Sequence, residues 1–370
     1  MFIKEEIDGK RALLKKLMEA EKLDGIYIKK SSNFAWLTGG MHNLVGLATE
    51  VGIAGLLITS GKYYVICNEI EAPRMEKEEL ICEQGYELKT YPWYDEKEAE
   101  TVFSLAGKAV GSDCGLPGAA DISGKINPLR YSLCPWEVER YKALGKLAAA
   151  CVEEAAETIR PGDTECAVVG RLLERLWSRG TDSVLPFCAA DDRVSLFRHP
   201  VTSTSNRLVR IEKRAMISCL IRKHGLIISM TRHVHFGKVP AELQKRYEDN
   251  VYVDCTFMAN TIVGRPVSDV FKAGLAAYAE KGYPEEYKLH HQGGSIGYLG
   301  REYKANHNSK EIVLENQGFA WNPTITGSKS EDTMLATSAG PLILSEPVLF
   351  PAKIIKKDGN TFNRAAILEL

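Results

Sequence analysis

The stretch Arg160-Pro161-Gly162-Asp163-Thr164-Glu165 separates two predicted helices in the second half of the chain. Residues 136–159 before it are rich in Ala and Glu, and the Pro-Gly pair ends that helix. After it, Thr164 precedes a second apolar-periodic run that continues to Trp177. Further along, β-rich segments are predicted at 215–219, 226–231, 312–322 and 334–337, and helices at 241–258 and 267–281. The second half is therefore predicted to mix helices with strands.

The first third of the chain is predicted to be an α/β unit. An apolar stripe over residues 4–22 indicates a helix, and three short apolar runs are strand candidates, at 24–28, 51–59 and 63–67. Alternating helices and strands favour a mixed sheet covered by helices. Residues 112–136 show no such periodicity and are rich in Gly and Pro, which is typical of a linker. We therefore place a boundary near residue 134, with domains at 1–134 and 135–370.

Composition and charge exclude several classes of protein. The 370 residues are 45% hydrophobic and 26% charged, which is ordinary for a globular chain. The 47 Lys and Arg against 48 Asp and Glu leave a net charge of −1, so we expect no nucleic-acid partner. The longest apolar run, 51–59, has about half of the ~18 residues that a membrane span needs, so we expect no membrane partner.

The cysteines and the N-terminus indicate a cytoplasmic protein. The sequence has 9 cysteines and no C-x-x-C pair, a pattern that fits reduced thiols better than a disulfide framework. The first residues turn acidic at Glu5 and Glu6, before the apolar region of a secretion signal can form.

Five segments, taken in order, resemble the creatinase/prolidase/methionine-aminopeptidase superfamily, whose catalytic domain has the pita-bread fold. Asn33–Gly39 is similar to the "N-x-x-Y-L-T-G" of the superfamily's N-terminal domain, and Arg160–Glu165 is similar to its "R-x-G-x-T-E" turn. Three later segments resemble "S-D-x-T-R", "G-H-G-I-G" and "G-x-R-x-E-D-T", at Ser229–Arg232, His290–Gly297 and Gly327–Thr333. The resemblance implies an α/β N-terminal domain, creatinase N-terminal-like, followed by an α+β pita-bread domain.

The superfamily's metallopeptidases hold two divalent metals with two aspartates eleven positions apart, one histidine and two glutamates. The resemblance puts those five positions at Ser218, Ser229, His291, Asn322 and Glu331. One histidine and one carboxylate are too few ligands for two divalent cations, because hard cations at a shared site need several anionic oxygens. We therefore expect no metal and no other cofactor.

Creatinase, a metal-free member of the superfamily, uses a histidine as acid and base. Gly300-Arg301-Glu302 resembles the "G-R-E" of creatinase rather than the "H-E" of the peptidases. His199 lies where the superfamily carries a substrate-contacting histidine, and an imidazole can take and give a proton near neutral pH. We predict the catalytic residues His199, His291 and Glu331. The predicted substrate-binding residues are Ser218, Ser229, Arg232, His290, Arg301, Asn322 and Lys329.

The segment around Glu331 is predicted to be a strand. Alternation would then put Lys329, Glu331 and Thr333 on one face and Ser330 and Asp332 on the other. A carboxylate on such a face could anchor a cationic group of the substrate or orient a histidine.

Three functions are open at this point. The first is a metal-independent hydrolase of the creatinase-like branch, which cleaves a C–N bond of a small polar, nitrogen-containing or amino-acid-derived substrate. The second is an Xaa-Pro-type metallopeptidase with a rearranged metal site. The third is a catalytically inactive pita-bread protein that binds a peptide or a partner. The resemblance also implies a homodimer, in which two catalytic domains pair about a two-fold axis.

Overall fold

The structure is a computed structural model, and it describes residues 2–202 and 208–370. The chain divides into two compact units. The first runs to Arg130 and includes His224–Leu226, and the second holds Tyr131–Lys223 and Ile227–Leu370. The domain limits at 134 and 135 stay a prediction.

The first unit is a mixed sheet with helices. Its helices are α1 (Lys4–Glu21), α2 (Ser31–Leu37), α3 (Ala72–Lys77), α4 (Glu98–Ala106) and α5 (Ser123–Ile126). Its strands are β1 (Gly25–Lys30), β2 (Val51–Thr59), β3 (Tyr63–Asn68), β4 (Glu87–Tyr91), β5 (Val110–Ser112) and β6 (Ala120–Asp121), in the sheet order β4-β3-β2-β1-β5-β6. Strand β2 is antiparallel to both β1 and β3, whereas β3/β4, β1/β5 and β5/β6 are parallel. The α/β prediction for this part of the chain is confirmed.

The second unit contains the longest helices and two sheets. Its helices are α6 (Pro135–Glu157), α7 (Glu165–Trp177), α8 (Arg193–Leu196), α9 (Ala241–Asn260) and α10 (Val267–Glu280). One sheet has the order β19-β9-β8-β7, from β7 (Asp182–Ala190), β8 (Arg214–Lys223), β9 (Leu226–His235) and β19 (Leu368–Glu369). The other has the order β11-β10-β12-β15-β16, from β10 (Gly293–Ser295), β11 (Tyr303–Lys304), β12 (Gln317–Trp321), β15 (Asp332–Thr337) and β16 (Gly340–Ile343). Two hairpins pair β13 (Thr324–Ile325) with β14 (Ser328–Lys329) and β17 (Ala352–Lys357) with β18 (Asn360–Ala365).

The turn between α6 and α7 is closed by its own polar side chains. Asp163 Oδ2 accepts a hydrogen bond from the backbone N–H of Arg160, and Thr164 caps α7 by accepting from the N–H of Ala167. Gly162 has a φ of +88°, which a residue with a Cβ adopts only with strain. The predicted break between two helices is confirmed.

Two hydrogen bonds between β9 and β15 join the two sheets of the second unit. Thr333 Oγ1 in β15 accepts from the backbone N–H of Ser229 in β9 and donates to its carbonyl oxygen, both at 2.8 Å. Behind them, Trp321 stacks on Phe257 of α9 with ring centroids 4.7 Å apart. The two strands that carry Ser229 and Thr333 are therefore held in register by side chains as well as by the core.

Among residues 2–202 and 208–370, no helix has both the length and the apolar character that crossing a membrane requires.

Candidate functional site

A buried carboxylate, Glu331, lies between β14 and β15 and is surrounded by hydroxyl groups. Only 2% of Glu331 is exposed. Ser229 Oγ donates to Glu331 Oε1 at 2.5 Å, and Thr231 Oγ1 donates to Oε2 at 3.0 Å. Both hydroxyls reach the carboxylate because residues two apart on a strand share a face. Ser218 on the neighbouring strand β8 completes the ring, with its Oγ 3.4 Å from Oε2.

Two cationic side chains bind the same carboxylate. Lys329 Nζ lies 2.7 Å from Glu331 Oε2 and also donates to Ser218 Oγ at 2.9 Å. Arg301 Nη2 donates to Oε1 at 3.0 Å. Burial alone would raise the pKa of Glu331, but the charges of Lys329 and Arg301 outweigh it and hold that pKa well below its ordinary value. Glu331 is therefore ionised and paired with two cations.

The side chains from 329 to 333 follow the predicted alternation. Lys329, Glu331 and Thr333 lie on one face, where they hydrogen-bond to Ser218 of β8 or Ser229 of β9. On the opposite face, Ser330 donates to Asp254 and Asp332 binds the guanidinium groups of Arg232 and Arg364. Only the ends of this segment belong to strands, β14 and β15, yet the side chains alternate through it.

Three histidines converge elsewhere in the same unit. His199 follows α8, and His290 and His291 follow a short 3-10 helix at Glu286–Leu289. The Nε2 atoms of His199 and His290 are 3.2 Å apart, and one potential ligand nitrogen from each of the three rings lies within 4.8 Å of the others. His290 is buried, His291 is half-buried and His199 is exposed. We call these three residues the histidine cluster.

The histidine cluster lines a pocket of about 610 Å³. Other walls of the pocket come from Phe271 and Tyr287, which are aromatic, and from Lys304, which is exposed. Among the described residues Lys304 makes no ion pair, so its ammonium group is free to bind an anion. Arg198 also lines the pocket, but it is bound by Glu286 at 2.8 Å.

All three histidines of the cluster have lowered pKa values. Burial is the main cause in each ring. For His290, burial and then the positive charge of Lys329 lower the pKa to about 2. For His291, burial and then Arg301 lower it to about 3. His199 is exposed but partly enclosed by its neighbours, and its pKa is lowered by this partial desolvation and then by Lys329. The positive charges of Lys329 and Arg301, the two partners of Glu331, thus act on these rings, which are neutral at pH 7.

The model of metallopeptidase family M24 matches residues 139–338, which is over half of the chain, and that of the creatinase/prolidase N-terminal domain matches residues 10–116. The chain belongs to metallopeptidase family M24. This confirms the predicted resemblance and fold class, and it makes the chain a member of a family of peptidase-like and prolidase-like hydrolases.

Relatives and solved structures agree with the M24 assignment. An uncharacterised peptidase of Staphylococcus aureus is 23% identical over 344 residues, which cover 85% of this chain and 95% of that one. The prolidase of Pyrococcus horikoshii superposes with a TM-score of 0.76 at 18% identity, covering 92% of this chain and 99% of the other. An Xaa-Pro dipeptidase of Bacillus anthracis gives a TM-score of 0.74 at 18% identity, covering 98% and 100%. At these identities the structural likeness concerns the fold.

The residues of this M24 chain do not fit a dinuclear metal centre. At the positions that the resemblance assigns to metal ligands, Ser218, Ser229 and Asn322 are neutral, and Glu331 is the carboxylate that remains. The Lys329 ammonium group lies 2.7 Å from Glu331 and 2.9 Å from Ser218, among those same side chains. A divalent ion bound to Glu331 would have to share this space with a cation of the chain, which Coulomb repulsion opposes.

The register of the "G-H-G-I-G" motif can be drawn in a second way. When the motif is anchored on Ile296 and Gly297, its histidine falls on Gly294 instead of His291. Gly294 lies in β10 between β11 and β12, and a Cβ there would come within 2.3 Å of the Tyr303 carbonyl oxygen. In this register the M24 chain lacks the histidine ligand as well.

The structure groups most of the predicted site residues into two sets. Ser218, Ser229, Arg301, Lys329 and Glu331 form the first set, and His199, His290 and His291 form the second. Asn322 is buried, and its Oδ1 has no hydrogen-bond partner among the described residues.

Arg232 is placed away from both sets. It is 1% exposed, and its guanidinium group is held by Glu153 and Asp332, each at 2.9 Å. Four of its five N–H groups donate to Glu153, Asp332 and the carbonyl oxygens of Thr231 and Ser345, so these partners compete with a substrate, and a role of Arg232 in substrate binding stays a prediction.

Two further residues belong to the site. Thr231 binds Glu331, and the sequence signal for it was its position two residues after Ser229 on a predicted strand. Lys304 lines the histidine pocket, and no pattern in the sequence marks it.

Proposed function

We propose that this M24 chain is a hydrolase that cleaves a C–N bond of a small polar, nitrogen-containing substrate without the dinuclear metal centre of the family. The observation that carries the proposal is the position of Lys329, whose ammonium group binds Glu331 and Ser218 among the side chains at the ligand positions. A cation of the chain therefore takes the place in which the resemblance would put a metal.

Without metal-bound water, hydrolysis needs a general base that takes a proton from free water. His199 is the best-placed base, because it is exposed to the pocket and its neutral ring has a lone pair to accept the proton. The water oxygen then bonds to the carbon, the C–N bond breaks, and the imidazolium ion returns its proton to the leaving nitrogen. His291 is the alternative base in the same pocket.

The charges around the pocket support a substrate that carries an anionic group. Lys304 presents an ammonium group that makes no ion pair among the described residues, and Arg301 and Lys329, which share the carboxylate of Glu331, add positive charge nearby. Amino-acid-derived compounds with a free carboxylate satisfy this requirement, and their nitrogen supplies the bond to be cleaved.

The experiment is an activity screen with metal-stripped protein in the presence of a chelator. Creatine-like, ureido and Xaa-Pro compounds with a free carboxylate are the substrates. We expect His199→Ala to lower turnover roughly 10²-fold or more, since a lost general base costs that much. Ser218→Ala should cost much less, because Glu331 keeps its other partners.

Two results would contradict the proposal. One is activity that appears only after two equivalents of Mn²⁺, Co²⁺ or Zn²⁺ are added. The other is full activity in both His199→Ala and His291→Ala on a substrate that the screen identifies, which would leave Glu331 as the candidate base. Binding of these compounds with no turnover would favour the inactive binding protein instead.

We also propose that the chain forms a homodimer, because the resemblance implies pairing of two catalytic domains about a two-fold axis.

A further inference from the structure

The proton of the neutral His291 ring can be placed from its hydrogen bonds. His291 Nδ1 accepts from the backbone N–H of Gly293 at 3.3 Å, so the lone pair of the ring lies on Nδ1. A neutral imidazole has one lone pair and one N–H group, which puts the proton of His291 on Nε2. The ring is half-buried and lines the pocket. His291 therefore offers a hydrogen-bond donor at Nε2, and its lone pair is already in use.

Lys304 brings a charged donor to the same pocket. Its side chain is exposed, and among the described residues it makes no ion pair and no hydrogen bond. Lys304 pairs with Gly294 between β11 and β10, so the sheet holds it beside the segment that carries His291. Desolvation lowers the pKa of His291 most, followed by the charge of Arg301 and then by that of Lys304. The Lys304 charge thus acts on the ring that presents the donor.

The size and the other walls of the pocket favour an organic anion over an inorganic one. Phe271 and Tyr287 line the pocket, and we call these two residues the aromatic wall. The volume of about 610 Å³ is typical of pockets that enclose small organic ligands. An inorganic ion bound by Lys304 would leave the aromatic wall without a contact.

We propose that Lys304 and the Nε2–H group of His291 bind the carboxylate of the substrate, and that the aromatic wall contacts an apolar group of the same molecule. The substrate class is then an amino-acid derivative with a free carboxylate and a large apolar side chain. The inference rests on the proposed function, because it takes this pocket to be the substrate pocket of that hydrolase.

The inference also separates the roles of two histidines. Among the described residues the ring of His199 has one hydrogen-bond contact, with His290, and no backbone N–H donates to it. His199 therefore keeps the role of general base when it donates through Nε2 and holds its lone pair on Nδ1. His291 becomes a binding residue, because its lone pair is held by Gly293.

The first test is calorimetry on the full chain at pH 7 with hydrocinnamate, which has a phenyl ring and a carboxylate but no C–N bond. We expect it to bind about tenfold or more tightly than the neutral hydrocinnamyl alcohol, because hydrogen bonds to a charged acceptor are strong. Acetate and inorganic phosphate, which have the charge without the ring, should also bind about tenfold or more weakly.

The second test compares two lysines of the same pocket. Lys304→Met should weaken hydrocinnamate binding about tenfold or more. Lys288→Met is the matched control, because Lys288 also lines the pocket and is exposed, but its ammonium group is bound by Glu285 at 2.5 Å. We expect this control to bind within about twofold of the unchanged protein.

The third test concerns the donor on His291. His291→Gln, which keeps an N–H donor, should bind hydrocinnamate more tightly than His291→Leu, which has none. Proton–nitrogen NMR of the unchanged protein with labelled histidine should show the His291 proton on Nε2, a readout that needs no variant to fold.

Four results would overturn the inference. They are absence of hydrocinnamate binding at millimolar concentration, equal affinity for the alcohol, equal losses in Lys304→Met and Lys288→Met, and a His291 proton on Nδ1. Phosphate or acetate that binds as tightly as hydrocinnamate would remove the aromatic wall from the site. Since hydrocinnamate cannot be hydrolysed, these outcomes do not depend on turnover. Carboxylate binding as expected, with no C–N bond cleaved in any screened compound, would contradict the proposed function alone.

Discussion

At the scale of single residues, the centre of the site depends on the pairing of one buried carboxylate with cations of the same chain. Alternation along 329–333 predicts that Lys329 and Glu331 share a face, and this can be derived from the sequence. That they bind each other, with Arg301 as a third member, cannot be derived, because it depends on how close β8, β9 and β15 lie. The histidine cluster is also unpredictable as a set, since His199 and His290 are 91 residues apart.

Removing the cation is the first residue-scale prediction. Lys329→Met leaves Glu331 buried with one of its two charged partners, so we expect a loss of about 3–5 kcal/mol in the free energy of unfolding. Lys245→Met is the matched control, because its side chain is 69% exposed and its ion pair contributes about 0–1 kcal/mol. Urea denaturation of both variants measures the difference, and equal losses would contradict the prediction.

The lowered pKa of Glu331 gives a pH dependence of stability. A carboxyl group whose pKa is lower in the folded than in the unfolded state stabilises the protein above the unfolded pKa and loses that contribution as pH falls. We therefore expect Glu331→Gln to reduce stability more at pH 7 than at pH 4. Thermal unfolding across this range checks it, with the exposed Glu285→Gln as control. A difference that is constant with pH would show that the Glu331 charge is not the cause.

At the scale of elements, apolar patterns in the sequence predict where strands lie. They do not predict where the backbone conformation interrupts a strand. The strand predicted at 51–59 coincides with β2, and its residues are buried from Ala54 onward. The prediction of 312–322 is too long: β12 spans Gln317–Trp321, and Asn316 just before it has a φ of +56°, which interrupts a strand. The sequence analysis predicts no strand at β7. Pro186 argues against a strand there, because proline cannot donate a backbone hydrogen bond. The structure accommodates this proline because β7 is an edge strand of its sheet.

Two helical glycines provide a matched test of packing against helix propensity. A Cβ on Gly274 of α10 would lie 2.0 Å from a ring carbon of Phe257, whereas one on Gly170 of α7 would meet nothing within 4 Å. We expect Gly170→Ala to stabilise the protein by about 0.5–1 kcal/mol and Gly274→Ala to destabilise it by about 1–3 kcal/mol. Melting temperatures of the two variants decide this. Stabilisation by both would mean that Phe257 moves aside freely.

At the scale of the whole molecule, the prediction of a homodimer rests on the family resemblance. If two catalytic domains pair about a two-fold axis, light scattering should give twice the 41.0 kDa chain mass over a wide range of concentrations. A mass of one chain at every concentration would contradict the homodimer. The overall order of domains follows from sequence motifs, but the surfaces that meet in an assembly do not, because they carry no periodic signal.

The ion pair between Lys329 and Glu331 has a consequence for how the protein matures in the cell. A metal centre must be loaded after synthesis, and its occupancy varies with the supply of the ion and with competing ions. An ammonium group two residues from its carboxylate is made by the ribosome with the rest of the chain. Under the proposed function, the charge at this centre is therefore complete as soon as the polypeptide folds, in metal-starved and metal-replete cells alike.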